Sequence, residues 1–133
     1  MSKKTISRAV LAVAMITVGV LHFVRPDAFA KIVPKALPAP YALVYASGVF
    51  EILGGAGLLL ERTRPLAGIG LIALYVAVFP ANINMAVNDI QPDGVVIPAA
   101  LLWLRLPFQV LFIWWAWKVS RRDRPRVAPA AAE

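Results

Sequence analysis

Four apolar stretches, residues 6–24, 41–60, 65–87 and 95–117, leave this chain few alternatives to a bundle of membrane-crossing helices. Each is close to the roughly 20 residues that span about 30 Å of hydrocarbon. Inside lipid every backbone N–H and C=O must be satisfied within the protein, so stretches of this length are expected to be helices. The connections at residues 61–64 and 88–94 are short, which predicts an all-α, up-down four-helix bundle. The connection from Arg25 to Pro40 is the longest, and Phe29, Ile32, Val33 and Leu37 alternate there with Lys31 and Lys35 between prolines. It reads as a short interfacial helix followed by an extended segment lying on the membrane. Residues 1–118 then form one transmembrane domain, and residues 119–133, basic and then rich in Ala and Pro, form a disordered tail.

Two charges interrupt the apolar stretches, Glu51 in the second and Arg105 in the fourth. A charge at the centre of a spanning helix costs about 2.5 to 3.5 kcal/mol on insertion scales, so such residues face the bundle interior and find partners. Counted from Tyr41 and from Val95, each lies about ten residues in, roughly 15 Å below the same boundary at about 1.5 Å per residue. Equal depth predicts a Glu51–Arg105 ion pair. Ser47, Gly48, Gly54 and Gly55 share the Glu51 face, so a neighbouring backbone can approach closely there. That face serves a homo-oligomer as readily as the bundle.

The remaining charge reads as topology. The net charge is +7, but of the 14 Lys and Arg residues ten fall in the N-terminal arm, the 61–64 turn and the tail, against three in the 25–40 connection. The positive-inside rule therefore puts both termini of a multi-pass protein of the cell's inner (plasma) membrane in the cytoplasm. A nucleic-acid surface would need basic residues along one face interleaved with aromatics, and these are not so arranged. The first stretch imitates a signal peptide, with Ala28-Phe29-Ala30 as a mock cleavage site, yet charge and proline follow it and three more spans need a membrane partner. With no cysteine the chain cannot run thiol–disulfide exchange, and a single histidine does not make a metal-ligand spacing, so no metal is expected.

Polar residues near the two charges complete a candidate cluster. Gln109 stands one turn from Arg105. Pro80 and Pro107 each free a carbonyl four residues earlier, at Val76 and Trp103, which then needs a substitute donor. Asn82, Asn84 and Asn88 follow Pro80, and His22 near the end of the first stretch is placed to meet them. Trp114, Trp115 and Trp117 beside Lys118 read as an aromatic interface belt.

Taken as strings, His22-Phe23 with Pro26 and Phe29, Ser47-Gly48 with Glu51-Ile52 and Gly54-Gly55, Phe79-Pro80-Ala81-Asn82, and Arg105-Leu106-Pro107 with Gln109 resemble the DoxX-like family of small bacterial membrane proteins. The resemblance spans residues 8 to 118. It implies a membrane subunit or anchor associated with redox or quinone metabolism, an accessory to a partner oxidoreductase subunit rather than an independent enzyme. In a mechanism of that kind Arg105 would hold a quinone oxygen or small anion, Glu51 would relay protons, and His22 with Asn82 would hydrogen-bond the other end. Two other readings of the same residues stay open. One is a protein that binds or transports a small solute or lipid, and the other is a structural assembly protein in which Glu51 and Arg105 only fix helix register.

Overall fold

The computed structural model describes residues 1–123, so of the tail expected to be disordered from residue 119 onward, residues 124–133 lie outside the described residues, while Val119 and Ser120 are buried and complete the last helix. Helices α1 (Lys3–Val24), α3 (Pro40–Leu59), α4 (Arg64–Val87) and α5 (Ala99–Ser120) are each long and apolar enough to cross a membrane, and a short α2 (Pro26–Ala30) joins the first two. The chain is a multi-pass membrane protein with an all-helical, up-down arrangement. Around the bundle α1 packs on α3, α3 on α4, α4 on α5, and α5 returns to α1. Consequently α3 and α5 stand on a diagonal.

Local chemistry accounts for where the helices begin. The Ser2 hydroxyl accepts the Thr5 N–H at 3.1 Å and caps α1. Pro40 and Pro65 occupy first-turn positions, where proline's fixed φ suits a helix and its missing donor is not needed. The last helix starts four residues later than its hydropathy suggests. Pro98 disfavours helix at Ile97, and the Gln91 side chain instead pins the Ile97 N–H at 2.7 Å and its carbonyl at 3.1 Å.

The closest packing is between α1 and α3, and it depends on glycine. A Cβ at Gly48 would fall 2.8 Å from the His22 Cβ and 2.9 Å from the Gly19 carbonyl oxygen, and one at Gly55 would fall 2.7 Å from the Ala12 carbonyl oxygen. The glycine-bearing face of α3 is thus spent inside the bundle, against α1. Leu11, Ala12, Met15, Leu58, Leu71, Tyr75, Ala116 and Val119 form the main core toward the end that carries the termini. At that end Trp114 and Trp117 face outward, beneath Lys118 and Arg121 at 4.7 and 4.4 Å, as an interface belt requires. Trp115 departs from that expectation and turns inward, where its indole N–H donates to Ser7 at 2.8 Å.

The part of the Arg25–Pro40 connection that follows the short helix, expected to lie extended on the membrane, instead makes successive turns, with Val33 N–H on Ala30 and Leu37 N–H on Pro34. Phe29 of α2 and Ile32, Val33 and Leu37 of the turns line the open end of the bundle. Asn84 on α4 donates to the Ile32 carbonyl at 2.9 Å and ties this segment down.

Substituting Gly55 by Leu is expected to lower stability by at least about 1 to 3 kcal/mol, because its neighbour is backbone that cannot step aside. Gly70, with nothing within 4 Å of its Cβ position, should accept Ala without loss. Thermal unfolding of the two variants in detergent checks both.

Candidate functional site

The fold keeps Glu51 and Arg105 apart. Because α5 begins at Ala99, Arg105 is six residues into its helix, about 9 Å along it, whereas Glu51 is eleven residues into α3, about 16 Å along. The two helices also lie on the bundle diagonal. The expected ion pair is therefore absent among the described residues, and each charge belongs to a different wall of one cavity of about 380 Å³.

The first wall is made by α1 and α3. The close glycine approach brings His22 beside Glu51, with imidazole Nδ1 3.1 Å from carboxylate Oε2, and both residues are 7 % exposed. The Nδ1 proton is directed elsewhere, to the Val18 carbonyl 2.8 Å away, because a carbonyl can only accept. Oε2 is left as a buried oxygen that receives no hydrogen bond. Phe29 from the connecting segment stacks on the imidazole at 3.8 Å between ring centres and fixes its plane. His22 does not meet Asn84 or Asn88, as its sequence position suggested. Asn88 bonds to Asn84 instead, at 2.7 Å.

The second wall is made by α4 and α5, and its polar groups are satisfied in series. Arg105 Nη2 donates to Asn82 Oδ1 at 3.4 Å, Asn82 Nδ2 donates to Gln109 Oε1 at 2.6 Å, and Gln109 Nε2 donates to the Tyr75 carbonyl at 2.5 Å. The expected orphan carbonyl below Pro80 was Val76. The substitute donor, Gln109, serves its neighbour Tyr75 in the same weakened turn. Gln109 is buried, whereas Arg105 stays exposed at the cavity's edge with its other contact, Nη1 to Met85 sulfur, at 3.4 Å.

Between these walls the lining is apolar, including Val44, Val78, Phe108 and Phe112, with Ile32, Val33 and Leu37 as a roof. The site presents a carboxylate that lacks a donor on one side and a guanidinium on the other. All five residues proposed from sequence, His22, Glu51, Asn82, Arg105 and Gln109, line it. Sequence reasoning missed Phe29 as a stacking partner and Tyr75 as a wall residue. The helical spacing of Tyr75 and Asn82, seven residues apart on one face, carried a signal for the second. No group of three or more His, Cys, Asp or Glu among the described residues is arranged to hold a metal ion.

Separate walls predict separate energetics. In a double-mutant cycle of Glu51→Gln with Arg105→Gln, measured by detergent or denaturant unfolding, the coupling should stay within about 0.5 kcal/mol. The cycle of His22→Ala with Glu51→Gln should exceed it. A large Glu51–Arg105 coupling would contradict this geometry.

One family description covers most of the chain, a domain of unknown function (DUF8561) that matches residues 11–120 and so takes in both walls of the cavity. No curated protein and no solved structure matches the sequence. The chain belongs to the DUF8561 family of domains of unknown function.

Proposed function

We propose that this is a DoxX-like membrane protein that binds the ring of a quinone, or of a similarly sized amphipathic molecule, as the membrane subunit of a redox system with a partner oxidoreductase. The observation that carries the reading is Glu51 Oε2, buried and without a hydrogen-bond donor, on the wall of a largely apolar cavity that has Arg105 on its other side. A buried acceptor left unmade costs about 1 to 3 kcal/mol or more for a charged group, which a ligand donor would recover. The volume lies in the range of small-molecule sites, about 300 to 1,000 Å³, and a few polar groups in an apolar lining are typical of them.

The residues fit such a ligand at both ends. Glu51 would accept from a hydroxyl of the reduced ring, the quinol, and Arg105, oriented by Asn82, would donate to the ring oxygen on the opposite side. Asn82 and Gln109 hold each other, so they orient Arg105 rather than reach the ligand first. A bound quinone would supply a reversible two-electron, two-proton couple. The separation of Glu51 from Arg105 favours a binding role over a register staple, since the staple requires the pair to close. The basic residues of the terminus-bearing end support a placement with both termini in the cytoplasm.

A lipid is the second reading. Leu43 and Phe108 line the cavity and stay exposed, an apolar margin that would suit an acyl chain.

Titration of the detergent-solubilised full chain with a short-chain ubiquinol analogue, kept reduced so that its ring hydroxyl can donate to Glu51, should show saturable quenching of tryptophan fluorescence. Glu51→Gln and Arg105→Gln should each weaken it about 10- to 100-fold, the loss of one charge-assisted hydrogen bond of about 1.5 to 3 kcal/mol. Unsaturable quenching, or wild-type affinity in both variants, would overturn the quinone reading. Competition by added phospholipid would move the assignment to the lipid.

A further inference from the structure

The second cluster of charge lies at the terminus-bearing end, away from the cavity. Arg8 on α1 and Arg64 at the start of α4 are 4 % and 9 % exposed, unusual for arginines this near the membrane boundary. Each spends its Nε on a helix C-terminus, Arg8 on the Val119 carbonyl at 3.0 Å and Arg64 on the Leu58 carbonyl at 3.2 Å. Their remaining nitrogens converge on one oxygen. Asp123 Oδ2 lies 3.5 Å from Arg8 Nη2 and 3.7 Å from Arg64 Nη1, while Oδ1 takes Lys4 Nζ at 2.7 Å. Lys4 also donates to the Arg121 carbonyl at 2.8 Å.

Asp123 fits this site poorly. Charged hydrogen bonds of this type close to about 2.7 to 2.9 Å, and both arginine contacts are longer. Three cations face one anion, leaving two positive charges, and the Asp123 side chain is itself 57 % exposed. Asp123 meets Lys4 closely and both arginines only at longer range, whereas a phosphodiester, whose two non-bridging oxygens are set on a larger tetrahedral frame, can seat one oxygen between the arginines and the other on Lys4. The hydrogen bond from Lys4 holds the Asp123 carboxyl below the usual carboxylate range, so it remains a charged competitor for the site.

We propose that Lys4, Arg8 and Arg64 form a phosphate site, which Asp123 fills in the lipid-free protein and which the phosphate of an anionic phospholipid headgroup takes in the membrane. The depth favours lipid over soluble phosphate. Arg8 bonds to the Val119 carbonyl, two residues beyond Trp117, and Trp114 and Trp117 with Lys118 and Arg121 mark the headgroup level. Basic pockets between helix ends at that level suit anionic headgroups.

The test is native mass spectrometry of the full chain in detergent, after exchange with equimolar dioleoylphosphatidylglycerol and dioleoylphosphatidylcholine. Wild type should retain the phosphatidylglycerol preferentially, and Arg8→Gln should lose about tenfold of that preference. Asp123→Asn, which removes the competitor without touching the three cations, should raise retention about 2- to 5-fold. It keeps the proposal testable if Arg8→Gln fails to fold. Inorganic phosphate that displaces the phosphatidylglycerol and raises the thermal midpoint without lipid would leave the site standing and assign it to soluble phosphate. Retention unchanged or lowered in Asp123→Asn, or full preference in a folded Arg8→Gln, would overturn it.

Discussion

The glycine-to-glycine approach of α1 and α3 decides where the buried carboxylate of this protein can go. With Gly19 and Gly48 in backbone contact, His22 is carried to Glu51, and the acid is held on that wall rather than drawn across the bundle. A larger residue at either glycine would move α1 outward and remove the imidazole from its neighbour. The apolar surroundings then make the arrangement costly unless something meets the free oxygen, because a buried polar atom without a hydrogen bond loses its hydration uncompensated.

The cavity follows from that geometry together with the prolines. Pro98 delays the start of α5, which sets Arg105 shallower than Glu51. Pro80 weakens the α4 ladder near Tyr75, and Gln109 fills the gap, which in turn fixes Asn82 and through it Arg105. One wall is a completed chain of donors and acceptors ending in a cation. The other ends in an acceptor with nothing to accept. That asymmetry, more than the volume between the walls, is what makes the site look built for a molecule carrying both a donor and an acceptor on an apolar frame.

Much of this was legible in the sequence because membranes simplify the problem. Apolar length alone places four helices, short connections order them, and single polar residues in apolar helices must point inward, so His22, Glu51, Asn82, Arg105 and Gln109 were identifiable as one cluster. Their pairing was not legible, since it turns on a four-residue shift at Pro98 and on which helices share a diagonal. The roof was misread as a surface strap because its apolar residues suit a membrane and a cavity equally well. The Arg8, Arg64 and Asp123 contacts were also hidden: in one dimension these residues are ordinary interface charges, and only the folded chain brings residues 8, 64 and 123 to a point.

The central claim, that the cavity between Glu51 and Arg105 holds a small amphipathic molecule, is tested most directly by native mass spectrometry of the full chain released with its own membrane lipids. A discrete small molecule should remain on wild type and be lost from folded Glu51→Gln and Arg105→Gln alike, yet remain on Asp123→Asn. No retained molecule on wild type, or wild-type retention in the two cavity variants, would contradict the account.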